Sequence, residues 1–185
     1  MDLPRRKRNR LRNYDYSQNG AYFITICTEN RIRLFGKISV GADLVSARVK
    51  LSNAGQMIDR IFTETISQFP DIISDIYIIM PNHFHCIVTI QRADTRSALS
   101  AVSEANISRA ALTKLDSFVQ AFKSRTTVEY IKGVKSGIYP PFNKRVWQRN
   151  YYEHIIRDDF DYQQKWRYID ENPIKWHEDC YYVDE

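Results

Sequence analysis

The fold turns on one stretch, Ile72-Ile-Ser-Asp-Ile-Tyr-Ile-Ile-Met-Pro-Asn-His-Phe-His-Cys-Ile-Val-Thr-Ile90. Ile72 to Met80 is apolar and strand-like, Pro81-Asn82 interrupts it, and His83 to Ile90 resumes as a second strand. Side chains alternate faces along a strand, so His83 and His85 project the same way while Phe84, Cys86 and Val88 point into a core. Imidazole is the commonest protein metal ligand, and two on one strand face form half a site. Taken alone, a His-x-His is more often two polar residues on a solvated face, so the surroundings must decide.

Upstream, Tyr22-Phe-Ile-Thr-Ile-Cys-Thr28 reads as a strand rich in aromatic and β-branched residues. Arg31 to Leu51 reads as a β-hairpin with Gly41-Ala-Asp43 near its tip. Ser52 or Asn53 then caps an amphipathic helix, in which Met57, Ile58, Ile61, Phe62, Thr65, Ile66 and Phe69 recur at helical spacing until Pro70. Downstream, residues 91–107 are polar, rich in Ser and Ala and without periodicity, which predicts a mobile loop. Ser108 opens a second helix with Leu112, Leu115, Phe118, Val119 and Phe122 on one face. Gly133, Gly137, Pro140 and Pro141 mark a long loop, and Val146 to Arg157 reads as a strand. Asp158 is a candidate N-cap for a last helix, which ends at Asn172 because Pro173 forces the chain out.

The resulting order is strand, helix, strand, strand, helix, strand, with an extra hairpin and a terminal helix. It predicts an α+β, ferredoxin-like antiparallel sheet with helices on one face. The domain organisation expected is a basic N-terminal arm over 1–20, one domain over 21–176 and an acidic C-terminal tail over 177–185. That tail carries Glu178, Asp179, Asp184 and Glu185, which raises the question of whether it covers a basic groove.

At 185 residues the chain can bury one substantial core. The hydrophobic fraction of 43% and charged fraction of 26% are those of a soluble globular protein. A net charge of +5 suits a polyanionic partner, and Arg5, Arg6, Lys7, Arg8, Arg10 and Arg12 concentrate it in the arm. Such an arm is either a nucleic-acid contact or a solubilising terminus. No apolar region follows it and no stretch reaches the length of a membrane span, so neither a secretory signal nor a membrane partner is expected. The 3 cysteines lack CxxC spacing, which predicts a reducing, cytoplasmic setting and no structural zinc. The 12 tyrosines and 3 tryptophans mostly fill a core, yet they also make stacking platforms for unpaired bases.

The last helix supplies what the histidines lack. Tyr162, Trp166 and Ile169 make its predicted buried stripe. Tyr168 and Asn172, at i and i+4, share a different stripe with Asp161 and Lys165. Asn172 offers a carbonyl oxygen to a hard cation such as Mg²⁺ or Mn²⁺.

Together these residues resemble the HUH tyrosine transposases of the IS200-like class, and especially the REP-associated tyrosine transposases. The resemblance runs from Tyr14-Asp-Tyr16 and Tyr22-Phe-Ile-Thr25 to Trp176. Its most specific pieces are Met80-Pro-Asn-His-Phe-His85, Trp147-Gln, Tyr152-Glu-His-Ile-Ile-Arg157 and Tyr168-Ile-Asp-Glu-Asn-Pro-Ile-Lys175. It implies that His83, His85 and Asn172 hold a divalent metal, Mg²⁺ or Mn²⁺, and that Tyr168 is the nucleophile. It also implies cleavage and rejoining of single-stranded DNA through a 5′-phosphotyrosine, with hairpin-forming REP-like DNA as partner. No nucleotide cofactor is expected, since no GxxxxGK[ST] loop occurs. A cytoplasmic, nucleoid-associated monomer is favoured over a homodimer.

Arg5, Arg6, Arg8, Lys123, Trp147, Arg149 and Arg157 are candidate DNA contacts. Glu153 and His154 are candidates for orienting a ligand histidine or for a structural hydrogen bond at the strand end. Two alternatives stand beside the transposase reading. One is a non-catalytic or domesticated nucleic-acid-binding protein on the same fold. The other is a metal hydrolase that uses water and leaves no protein–DNA adduct.

Overall fold

A computed structural model describes residues 19–40, 47–91 and 104–184, with backbone alone for Val40 and for 104–113. The Pro81-Asn82 break separates two long strands, β4 (Ile72–Ile79) and β5 (His83–Ile90), which fold back on one another as an antiparallel pair. β1 (Gly20–Cys27) lies along the other edge of β5, and β6 (Tyr152–Ile156) along the other edge of β1. The order β4-β5-β1-β6 is the ferredoxin-like arrangement that the element sequence predicts. β2 (Gly36–Val40) and β3 (Ala47–Leu51) form a separate two-stranded sheet, whose expected Gly41–Asp43 tip lies outside the described residues. The hairpin starts later than Arg31, because Asn30 and Arg31 both take left-handed φ values of 55° and 57° in a tight turn.

Alternation along the strands sorts the side chains into two faces. Tyr22, Ile24, Ile26, Phe84, Cys86 and Val88 point to one face and join a core completed by α1 (Asn53–Ser67) and α2 (Glu104–Lys135). Ser52 caps α1 by accepting the Gly55 amide at 3.1 Å. Phe62 is the hub of this core, its ring lying 4.8 Å from Phe84 and 5.5 Å from Phe122. Phe122 is wholly buried, so Phe122→Ala is expected to cost about 3–5 kcal/mol, read as a lower urea midpoint at unchanged slope. The opposite face carries Phe23 and Ile87, on which α3 (Asp159–Glu171) lays Ile169.

Three sequence readings need correction. α2 is helical from Glu104 and runs through Gly133 to Lys135, so it starts before Ser108 and absorbs the first residue assigned to the loop. Its Ala-rich start lacks amphipathic periodicity yet has high helix propensity. Gly133 sits inside the helix because the Tyr139 ring packs onto it, and an added Cβ would lie 2.1 Å from that ring. Two residues past its end, Gly137 turns the chain away in the left-handed region at φ 72°. Second, Val146 to Arg157 is not one strand. Trp147 makes an isolated bridge with Thr28, and only Tyr152 onward joins the sheet. Between them the Lys123 ammonium, rather than a neighbouring strand, takes the backbone carbonyls. Third, Trp166 is 38% exposed, not part of a buried stripe. The buried side of α3 runs from Ile169 to Asn172, which turns Trp166 outward.

Candidate active site

Register brings the histidines to one place. Thr25 pairs with His85 and Cys27 with His83, at the end of the sheet where Pro81-Asn82 turns the chain. Both rings are fully buried, 4.4 Å apart between centroids. Each ring is held through Nδ1. His83 Nδ1 lies 2.8 Å from Asn82 Oδ1, and His85 Nδ1 lies 2.8 Å from Thr25 Oγ1. The Asn82 amide nitrogen donates to the Arg31 and Tyr181 carbonyls, so its Oδ1 can only accept, and His83 Nδ1 therefore carries the proton. That tautomer leaves the Nε2 lone pair free to bind a metal. Burial, with Arg31 adding to it, pushes His83 down to about 3, and burial beside His83 holds His85 well below its ordinary range. Both rings are thus neutral at physiological pH, the form that ligates.

α3 brings the rest. Asp158 caps it, accepting the Asp161 amide at 2.8 Å, and the His154 ring meets the Asp161 carboxylate at 2.8 Å, tying β6 to the first turn. About two turns on, Tyr168 stands edge-on to His85 at 5.3 Å and to Phe23 at 5.7 Å. Asn172, the C-cap, is buried behind it. Since His154 holds the helix and does not touch the histidines, His154→Ala is expected to cost about 1 kcal/mol of stability by urea titration.

Residues 176–183 fold across this end of the sheet and supply the group that sequence reading assigned only to an acidic tail. The Asp179 side chain is 1% exposed, and its Oδ2 accepts from Tyr168 Oη at 3.1 Å and from Asn172 Nδ2 at 2.5 Å. The same oxygen lies 4.0 Å from His83 Nε2. Ligand atoms of His83, His85 and Asp179 fall within 4.8 Å of one another. Trp176 and Tyr181 close the site, Tyr181 with its ring 4.8 Å from that of His83. Arg31 holds the segment by donating to the Cys180 carbonyl at 2.8 Å, and Arg33 by donating to the Val183 carbonyl. Burial and the Asp179 charge push the Tyr168 phenol well above its ordinary value of 10, so the resting site holds a protonated phenol.

His83 Nε2, His85 Nε2 and Asn172 Oδ1 are all buried without a hydrogen-bond partner. Orphaned buried acceptors are costly. Two imidazole nitrogens and an amide oxygen, beside a carboxylate, are a donor set that fits a divalent cation such as Mn²⁺ or Mg²⁺.

The remaining candidates fall elsewhere. Glu153 pairs with Ile24, which sets it on the opposite sheet face from His85. The residues that orient the histidines are instead Asn82 and Thr25. Trp147 is 3% exposed and donates to Thr126 Oγ1 at 2.8 Å, so it is a core residue rather than an open DNA contact. Lys123 is bound to backbone carbonyls. Burial lowers its ammonium to about 8. Arg149 is exposed beside Lys123 in a groove of about 700 Å³ against α2, and Arg157 is exposed at the start of the turn into α3. Arg5, Arg6 and Arg8 lie outside the described residues. Among the described residues no helix is long and apolar enough to cross a membrane.

No protein-family model matches the chain. An uncharacterized protein of Haemophilus influenzae is 35% identical over 185 residues, spanning 97% of this chain and 94% of that one. Among solved structures, a REP-associated tyrosine transposase bound to a REP hairpin superposes with a TM-score of 0.52 at 20% identity, covering 95% of this chain and 74% of that chain.

Proposed function

The chain belongs to one family with the uncharacterized Haemophilus influenzae protein and has the fold of a REP-associated tyrosine transposase, and on that premise we propose that it cuts and rejoins single-stranded DNA with a divalent metal. The observation that carries this reading is the convergence of His83, His85 and Asp179 within 4.8 Å, the imidazole Nε2 atoms and Asn172 Oδ1 unpartnered among the described residues, with Asp179 bonded to the hydroxyl of Tyr168. Structural histidines would have their outer nitrogens satisfied. An aromatic filling a core would not present a 39% exposed ring against two metal-ready imidazoles.

His83, His85 and Asn172 would hold the cation, with Asp179 as the neighbouring carboxylate, and a divalent ion there would supply positive charge to the scissile phosphate. Tyr168 Oη attacks phosphorus in line, and its proton passes to Asp179 Oδ2, which already accepts that hydrogen bond. The Oη–P bond forms as the bond from phosphorus to the 3′-oxygen breaks, leaving a 5′-phosphotyrosine and a 3′-hydroxyl. Attack by a 3′-hydroxyl reverses the exchange and rejoins the strand. One phosphodiester replaces another, so no energy source is needed. Lys165, one turn before Tyr168, places its ammonium 5.6 Å from the centre of the Phe23 ring, against which Tyr168 stands edge-on. A compact site at the end of a sheet accepts a phosphate from an unpaired strand more readily than from a duplex. The solved neighbour holds a REP hairpin, so hairpin-forming single strands are the first substrates to try.

Incubation with Mn²⁺ or Mg²⁺ and 3′-labelled hairpin oligonucleotides, followed by a denaturing protein gel, tests the reading. A labelled protein band that EDTA removes is the expected result. Cleavage without a band would replace it with a water-using hydrolase. Binding alone across a panel of hairpins would leave a non-catalytic nucleic-acid-binding protein.

A further inference from the structure

The loop from Gln148 to Tyr151 has no strand ladder, yet its backbone is fixed. The Gln148 amide donates to the Cys27 carbonyl at 2.9 Å. The Lys123 ammonium, reaching up from α2, donates to the carbonyls of Gln148 at 2.6 Å and Arg149 at 3.0 Å, with that of Asn150 at 3.5 Å. The Tyr151 phenol donates to Asp116 Oδ1 at 2.8 Å. A half-buried lysine that spends its donors on consecutive carbonyls acts as a clamp for the turn. What the clamp leaves over are the carboxamides of Gln148 and Asn150, which make no hydrogen bond among the described residues.

Both line a cavity of about 200 Å³ together with Thr25, Tyr151, Tyr152 and Tyr181. Thr25 is the residue that holds His85, and Tyr181 packs on His83, so the cavity abuts the paired imidazoles. Tyr152 is 50% exposed and pairs with Thr25 in the sheet, an open ring at the cavity mouth. Every residue that lines the cavity is uncharged. Phosphate or a carboxylate would find no cation there, whereas a flat, neutral group rich in donors and acceptors would find three phenol rings and two amides. The basic side chains Lys123, Arg145 and Arg149 line the larger groove beyond the loop, which shares Gln148 and Tyr151 with the cavity.

We propose that this cavity receives one unstacked base of the substrate strand beside the scissile phosphate, stacked on a tyrosine ring and read by Gln148 and Asn150. It rests on the single-stranded DNA reading above and adds the residues that set base preference at one position next to the cut. Aromatic stacking fixes the ring in a sequence-tolerant way. The amides supply the discrimination, since a good donor–acceptor match separates one base from another by about ten-fold or more. The basic groove takes the neighbouring backbone.

The test uses the full chain and a hairpin oligonucleotide pool randomised at the positions flanking the cut, with adduct-linked and merely bound molecules sequenced separately. The wild type is expected to show a base preference at one position that Gln148→Ala with Asn150→Ala lowers at least ten-fold, the other positions being unchanged. Gln148→Glu, which keeps the shape but removes the donors, is expected to move the preference toward cytosine, whose amino group donates. Thermal melts identify any variant that fails to fold, in which case the isosteric variant carries the test. If no adduct forms with any oligonucleotide, the nuclease reading falls, and the bound pool still decides. A preference in bound molecules that the double variant loses supports the base pocket. An unchanged preference profile in folded variants, among adducts or bound molecules, overturns it.

Discussion

Tyr168→Phe is expected to abolish the covalent protein–DNA band and to slow strand cleavage by roughly 10⁴-fold or more, the scale at which a removed nucleophile acts. The substitution deletes a single oxygen. Tyr168 is 39% exposed, and its hydroxyl makes one hydrogen bond, to Asp179, which keeps its contact with Asn172. Fold and DNA affinity should therefore be almost untouched, with stability within about 1.5 kcal/mol of the parent. A gel shift beside the cleavage assay separates the two effects. Retained cleavage at the parent rate would exclude a tyrosine mechanism at this helix. Loss of binding along with cleavage would mean that the hydroxyl is itself a contact of the DNA.

His83→Ala and His85→Ala are expected to remove the response to metal. Wild-type protein without DNA should melt higher when Mn²⁺ is added, because a cation that binds only the folded state at 100 times its Kd stabilises by about 2.7 kcal/mol. Neither variant should show that increment, and both should lose cleavage by about 10³-fold or more, as the parent does in EDTA. The difference with and without metal is the quantity to read, since each histidine is fully buried and its removal costs stability by itself. Asn172→Ala and Asp179→Asn complete the series. The first removes a free oxygen donor, and the second keeps the side chain's shape while deleting the charge and one of its accepting oxygens. If all four variants keep the full metal shift, these side chains do not form the site.

The parts of this site that a reader of the sequence can find are those generated by local periodicity. A period of two puts His83 and His85 on one face, and an i, i+4 step puts Asn172 beside Tyr168. The caps at Ser52 and Asp158 are legible for the same reason, since they depend on neighbours three residues away. Asp179 is not, because it is brought in by a segment whose anchors, Arg31 and Asn82, lie about 100 residues or more away in the chain. Asn82 reads as a strand breaker and proves to be the support of His83. Trp147 suggests a stacking surface, yet its ring is drawn into the core between Phe35 and Phe122. Lys123 reads as a phosphate ligand, and only the folded loop shows that its donors are already engaged with backbone.

The second support of the site has a consequence for the life of the molecule. Thr25 reaches His85 across 60 residues, and Asn82 reaches Tyr181 across 99. Contacts of such separation form late, because the chain must close its longest loops first. A partly folded chain, with strands paired but 176–183 not yet seated, lacks the Asp179 carboxylate at the phenol and the Tyr181 carbonyl that anchors Asn82. The strand cutting proposed above would thereby be withheld from every unfinished copy, with structural completeness as its safety catch.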